Sequence, residues 1–115
     1  MSLFTSKFYL RIQNEEALDT SIELTKKSEK YIIINDSIFL TKNISVFFDE
    51  LTISSDNNNL KNYRFFFRFR YEDDYKPIEI DAELWFEKEN NEQYNRLKNK
   101  MFRLMELIHD KILNI

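Results

Sequence analysis

Short extended segments dominate the first three quarters of the chain, and in residues 7–13 and 21–27 apolar and polar residues alternate. The side chains of a β-strand point to opposite faces in turn, so this alternation indicates strands with one buried face. Alternation predicts strands within residues 7–13 and 21–27, and the many β-branched and aromatic residues of 30–42 and 44–54 predict further strands there. In the third stretch, Asn35-Asp36 separates two apolar arms and predicts a two-residue hairpin turn. Residues 14–20 fit a turn or a single helical turn, and the Asn-rich residues 54–62 predict a loop.

Residues 62–87 contain two neighbouring stretches in which the odd-numbered and the even-numbered positions hold different types of residue. The odd positions from Tyr63 to Tyr71 are all aromatic, whereas the even positions between them hold three arginines and Phe66. In the second stretch the even positions from Ile78 to Phe86 are apolar, and the odd positions hold acids and Trp85. The segment between the two stretches is rich in turn residues and contains the only proline. We therefore predict an antiparallel hairpin.

This hairpin would bring the aromatic face onto the apolar face and the arginines beside the carboxylates. A register shifted by one residue would mix the two faces, so only registers that differ by an even number of residues are compatible with this pattern. These registers place Trp85 near Phe66 or Arg64. Arginines that face carboxylates of the same chain are largely neutralised. We therefore expect a structural role for them and no binding of nucleic acid or phosphate.

Apolar residues recur at spacings of three and four from Asn90 onward, which predicts an amphipathic helix over about residues 90–113. Asn90 and Gln93 have the spacing of a capping box. The apolar face widens in the last half of this helix, and we expect the domain's own sheet to cover the added surface. The alternative is a homodimer through the helix. Arg96, Lys100 and Arg103 share one side of the helix and, with Lys98, form a basic patch that we interpret as solvated.

The amino-acid composition excludes several classes of function. The 115 residues fit one domain, 1–115, and 43% of them are hydrophobic, which is enough for a core. The chain has no glycine, which excludes glycine-rich phosphate loops, and no cysteine, which excludes disulfides and thiolate chemistry. The net charge of −3 lacks the positive excess typical of nucleic-acid binding. The sequence shows neither a transmembrane segment nor a signal peptide, so we expect a cytoplasmic protein without membrane-surface contact.

The sequence contains no motif that indicates a catalytic site. His109 is the only histidine, and no nucleophile motif accompanies it. The adjacent acids Glu72, Asp73 and Asp74 lack the spacing of a calcium loop, so we interpret them as a solvated turn. We predict no enzymatic activity, no catalytic residues, no cofactor and no bound metal.

Two interpretations of function remain open. The first is a non-enzymatic protein-interaction module that binds an unidentified protein through Trp85, Phe66 and Arg68, residue types common at interface hot spots. The second is a small acidic inhibitor or immunity protein, in a phage or defence context, that blocks a basic site on a nuclease or toxin. The carboxylates that would act in the second case are Glu72, Asp73, Asp74, Glu79 and Glu83.

The order of elements resembles that of pleckstrin-homology-like domains, in which about seven strands precede one C-terminal helix. The stretch "KYIIINDSIFLTKNISVFFDELTI" (30–53) is similar to the middle of small bacterial members, and "NEQYNRLKNKMFRLMELI" (91–108) to the helix that plugs the open end of the barrel. The resemblance implies an open barrel. It also implies protein binding more than phosphoinositide binding, because an acidic segment follows Lys7 and Arg11.

We predict an α+β fold with about six to seven strands within residues 7–88 and one long C-terminal amphipathic helix. The strands would form a curved antiparallel sheet packed on the helix, or the open barrel that the pleckstrin-homology-like order implies.

Overall fold

The computed structural model describes residues 6–55, 62–74 and 76–114. In chain order the elements are β1 (Ser6–Ile12), α1 (Glu15–Lys27), β2 (Tyr31–Ile34), β3 (Ser37–Leu40), a 3-10 turn (Thr41–Asn43), β4 (Ile44–Ser55), β5 (Asn62–Asp73), β6 (Lys76–Glu87) and α2 (Asn91–Leu113). This confirms the α+β class with one long C-terminal helix. Most of the predicted loop at 54–62 lies outside the described residues.

The strands form a four-stranded sheet in the order β1-β6-β5-β4 and a separate two-stranded ribbon, β2-β3. The ribbon turns at Asn35, whose φ of 53° lies in the left-handed region that asparagine tolerates, so the predicted hairpin is confirmed. The pairs β4-β5 and β5-β6 are antiparallel, but β1 runs parallel to β6. The prediction of a purely antiparallel sheet is therefore wrong in this pair. Local alternation does not encode which distant strands meet or in which direction.

The predicted strand at 21–27 is wrong, because these residues form the second half of α1. The sequence does not show the apolar pattern expected of a helix here, because two of the buried positions of α1 are the polar residues Ser21 and Thr25. Their hydroxyl groups bond to the backbone of the ribbon, at Asn35 and Ile33 respectively. Asn14 caps the helix by accepting a hydrogen bond from the N–H of Ala17 at 2.8 Å.

Helix α2 packs its apolar stripe against α1, β4 and β5. The side chain of Asn90 accepts a hydrogen bond from the N–H of Gln93, which confirms the predicted N-cap. Of the residues that widen the apolar face, Met105 is buried, Phe102 and Leu107 are half-buried, and Leu113 is exposed. Within the part of the chain that the structure describes, neither helix is long and apolar enough to cross a membrane.

The core lies between the two helices, the ribbon and one face of the four-stranded sheet. Its largest fully buried side chains include three aromatic residues of β5, Phe65, Phe67 and Phe69. We call this side of the sheet the inner face and the opposite side the outer face. In the described residues, no helix or second sheet lies over the outer face.

Candidate functional site

Strands β5 and β6 pair in the predicted arrangement. Phe65, Phe67 and Phe69 lie opposite Leu84, Ala82 and Ile80 on the inner face. On the outer face the cross-strand pairs are Arg64–Trp85, Phe66–Glu83, Arg68–Asp81 and Arg70–Glu79. The register therefore places Trp85 beside Arg64, one of the two positions that the sequence allowed.

Strand β1 adds cations on the other side of the carboxylates. Its parallel register places Lys7 beside Glu79, Tyr9 beside Asp81 and Arg11 beside Glu83. On the outer face, the acids of β6 thus form a central column between the arginines of β5 and the two cations of β1. Sequence reasoning missed this second column because it did not predict that β1 and β6 would pair.

Asp81 is the electrostatic centre of the outer face, with only 1% of its surface exposed. It accepts hydrogen bonds from Arg68 Nε at 2.7 Å and from Arg64 Nη2 at 3.4 Å, and Lys7 Nζ lies 3.8 Å away. The hydrogen bond with Asp81 raises the pKa of Arg68 above its ordinary value. Three cations therefore compensate one buried carboxylate, as a buried charge requires.

Arg64 links this centre to Trp85. Its guanidinium group pairs with both Asp81 and Glu83 and lies 3.8 Å from the centre of the Phe66 ring. Glu83 also accepts a hydrogen bond from the indole N–H of Trp85 at 3.0 Å. The guanidinium groups of Arg64 and Arg11 both lie 5.7 Å from the centre of the indole ring. The ring is thus oriented by neighbours on three strands.

Aromatic side chains remain accessible around this ion-pair network. Trp85 is 36% exposed and Phe48 of β4, opposite Arg68, is 40% exposed. Phe66 is half-buried beneath Arg64. A tryptophan and a phenylalanine on the polar side of a sheet, held by paired arginines, constitute a rigid mixed surface that we take as the candidate binding site.

The structure brings together three of the residues selected from sequence, Phe66, Arg68 and Trp85. Glu79 and Glu83 lie on the same outer face but are paired with Arg70 and Arg64.

The turn between β5 and β6 lies at the end of the hairpin, with Glu72 and Asp74 exposed. The side chain of Asp73 lies outside what the structure describes. Of the five acids selected from sequence, Glu79 and Glu83 are therefore engaged in ion pairs, whereas Glu72 and Asp74 are exposed at the end of the hairpin.

The carboxylates at the centre of the outer face are engaged in ion pairs with arginines of the same chain. Across residues 6–55, 62–74 and 76–114, no group of three or more histidine, aspartate or glutamate side chains is arranged to hold a metal ion. His109 packs on the inner side of the sheet, with its ring 5.3 Å from that of Phe47.

A second ion-pair cluster joins the two helices. Glu15 of α1 accepts hydrogen bonds from Arg96 Nε at 2.8 Å and from Lys100 Nζ at 2.6 Å, and Lys100 also bonds Asp19. The hydrogen bonds from Arg96 and Lys100 lower the pKa of Glu15 from 4.5 to about 2. Half of the basic patch predicted on the C-terminal helix is therefore paired within the chain.

A concave surface of about 970 Å³ lies between the end of α1, the ribbon and the end of α2. Four lysines contribute to its lining, together with Glu29 and Asp110: Lys26, Lys30, Lys42 and Lys111. One of them, Lys111, donates to the carbonyl of Ser28.

No known protein family, curated protein or solved structure matches this chain. The resemblance to pleckstrin-homology-like domains therefore stays a prediction, and function has to be argued from the geometry of the outer face.

Proposed function

We propose that this protein is a non-enzymatic protein-interaction module that binds its partner through the outer face of the four-stranded sheet. One observation carries the proposal: Trp85 and Phe48 stay exposed on a face that no helix or second sheet of the described chain covers. Tryptophan and arginine supply much of the binding energy at protein interfaces, especially where neighbouring groups hold them rigid.

The charge arrangement favours a protein over a nucleic acid. Arg64 and Arg68 donate to Asp81, so phosphate groups would have to compete with a buried carboxylate for these guanidinium groups. Nucleic-acid affinity depends mainly on unpaired cations that displace counterions from phosphates. Specific recognition of a protein depends more on fixed aromatic and arginine side chains in a partly desolvated patch.

The test compares two single substitutions of similarly exposed apolar residues. Trp85→Ala removes the indole from the outer face, whereas Leu24→Ala truncates a 41% exposed side chain on α1. Proteins captured by the wild-type chain are identified by affinity purification and mass spectrometry, and each variant is then tested for their recovery. We expect Trp85→Ala to reduce recovery at least about tenfold, as for a hot spot, and Leu24→Ala to leave it unchanged.

Stability must be measured on the same variants. We expect Trp85→Ala to cost about 1 kcal/mol or less, because the ring is partly exposed and surface substitutions have small effects. Substantial unfolding of this variant would make Trp85 a core residue, and unchanged recovery by a folded Trp85→Ala chain would refute the proposed interface.

The acidic-inhibitor interpretation has one supporting observation, the exposed Glu72 and Asp74 at the β5-β6 turn. Double charge reversal, Glu72→Lys with Asp74→Lys, distinguishes the two functions. An inhibitor of a basic site would lose binding, and its binding would weaken strongly with salt. Binding through the outer face would change little.

A pleckstrin-homology-like relationship and a cytoplasmic location remain our expectation. A homodimer through α2 has weaker support, because the buried stripe of that helix faces α1, β4 and β5.

A further inference from the structure

We propose that the open edge of β1 binds an extended peptide segment of alternating apolar and acidic residues, which adds a fifth strand to the sheet. The inference does not rest on the proposed outer-face interface. The peptide would contact backbone groups of β1, a groove on the inner side of the sheet, and Lys7 and Arg11 on the outer face, but Trp85 is not part of this site.

The edge of β1 is available within the described residues. β6 pairs along one side of β1 from Ser6 to Ile12, and no described strand pairs with the other side. The carbonyl of Arg11 accepts a hydrogen bond from the side chain of Asn35 in the β2-β3 turn, so it points away from β6. Alternate peptide groups of a strand point the same way, which directs the N–H and C=O groups of Lys7 and Tyr9 to the open edge.

The outer edge of β2 is blocked, and that of β4 is interrupted. The hydroxyl group of Thr25 bonds both the N–H and the C=O of Ile33, which closes the outer edge of β2. The pairing of β4 with β5 shifts register twice, between Ile44 and Val46 and between Phe48 and Thr52. Such irregularities protect an edge because they interrupt the row of donors and acceptors. In contrast, β1 pairs with β6 without a shift.

An apolar groove of about 370 Å³ lies beside this edge, on the inner side of the sheet. Side chains of β1, β3, β5 and β6 line it, among them Phe8, Leu10, Ile38, Phe39, Tyr71 and Ile80. Phe8 is 57% exposed and Ile38 is 64% exposed, although both are large and apolar. A strand added to β1 would direct every second side chain into this groove, so those side chains should be apolar.

The charges of β1 indicate which residues the bound peptide should have at its remaining positions. These residues would lie on the outer face beside Lys7 and Arg11, where acidic residues are favourable. β6 provides the same pattern on the other side of β1, since its acids Glu79, Asp81 and Glu83 alternate with apolar residues. A second copy of β1 is a poorer occupant, because it would bring its own Lys7 and Arg11 to the same edge.

The first experiment uses defined peptides. A nine-residue peptide of alternating valine and glutamate, blocked at both ends, is titrated into the 15N-labelled chain. We expect saturable shifts of the amide signals of β1, and about tenfold weaker binding of the matched valine-lysine peptide. Equal binding of the two peptides, or shifts that do not include β1, would overturn the proposal.

N-methylation then tests the backbone pairing directly. In an added strand, only alternate N–H groups face β1. Methylating the peptide nitrogens of one parity should abolish binding, whereas methylating those of the other parity should leave it within about twofold. If both sets of N-methylated peptides lost binding, or if neither set did, the peptide would not bind as a strand.

A protein variant provides the reciprocal test. Tyr9→Pro removes an N–H that points to the open edge and leaves the bonds to β6 in place, which proline at a strand edge allows. Tyr9→Ala is the matched control because it removes the ring but keeps the N–H. We expect loss of peptide binding in Tyr9→Pro only, and equal loss in both variants would refute the edge assignment. If Tyr9→Pro does not fold, the N-methylated peptides still decide the question. If the wild-type chain forms a dimer without peptide and Tyr9→Pro dissociates this dimer, the edge of β1 binds a second copy of the chain instead.

Discussion

Thr25 in α1 satisfies both backbone groups of Ile33 in β2 with one hydroxyl group. Its Oγ1 accepts a hydrogen bond from the Ile33 N–H at 2.9 Å and donates to the Ile33 carbonyl at 3.1 Å. Thr25 is fully buried. The hydroxyl group therefore replaces the strand that would otherwise pair with β2, and it joins the helix to the ribbon.

Thr25→Val should lower the free energy of unfolding by about 2–4 kcal/mol, because it keeps the shape of the side chain but leaves two part-buried backbone groups of Ile33 unsatisfied. Urea denaturation followed by circular dichroism measures the change. Thr25→Ser keeps the hydroxyl group and loses one methyl group, so it should cost about 1 kcal/mol. If the serine variant were the less stable of the two, packing of the methyl group would be the main contribution of Thr25.

Asp81→Asn should destabilise the chain by about 2–3 kcal/mol, because it leaves Arg64 and Arg68 without their shared buried carboxylate. Glu79→Gln is the control on the same strand. Its pair with Arg70 is longer, at 3.5 Å, and more exposed, so about 0.5 kcal/mol is expected. Equal effects of the two substitutions in urea denaturation would contradict the central role assigned to Asp81.

The indole of Trp85 should become more accessible when its hydrogen bond to Glu83 is removed. Trp85 is the only tryptophan, so its fluorescence reports on the outer face alone. We expect Glu83→Ala to increase quenching by acrylamide and to shift the emission to longer wavelength. Glu87→Ala, an exposed position at the end of the same strand, should leave both unchanged. An unchanged spectrum in Glu83→Ala would show that Arg11 and Arg64 hold the ring without the carboxylate.

Glu15 should stabilise the fold near neutral pH but not in strong acid. Its pKa is about 2 in the folded chain against 4.5 ordinarily, because Arg96 and Lys100 donate hydrogen bonds to it. A lowered carboxyl pKa contributes stability above pH 4.5, and this contribution is lost as the pH falls towards 2.

We therefore expect Glu15→Gln to cost about 0.5–1 kcal/mol at pH 7 and close to nothing at pH 2, as measured by urea denaturation at both pH values. Glu16→Gln, at an exposed neighbouring position, is the control without this dependence. A cost of Glu15→Gln that stays constant with pH would mean that the carboxylate is not the stabilising group.

Much of the candidate site follows from alternation. Parity along residues 62–87 predicts which side chains of β5 and β6 share a face, because a hairpin with a short turn allows few registers. The placement of Phe66, Arg68 and Trp85 on one face of the hairpin was therefore predictable from the sequence. Phe48 was not selected, since its neighbour across the sheet depends on two register shifts in β4.

Helix α1 shows where periodicity misleads. The sequence has the end signals of a helix, with Asn14 before two glutamates and Lys26-Lys27 at the end. Its buried stripe nevertheless contains Ser21 and Thr25, and the alternation of residues 21–27 resembles a strand. Hydroxyl groups are buried at these positions only because the ribbon provides their hydrogen-bond partners, and a local pattern carries no information about such partners.

The sequence by itself determined the α+β class, the C-terminal helix, the β2-β3 turn and the sorting of charged and aromatic faces in the β5-β6 hairpin. Each depends on residues that are close in the chain, where the spacing of side chains follows directly from backbone geometry. Only the tertiary structure decided that β1 lies parallel to β6, that Lys7 and Arg11 flank the acids from the second side, and that no described strand pairs with the other edge of β1. These features depend on pairing between distant segments, which is selected by the packing of the whole core.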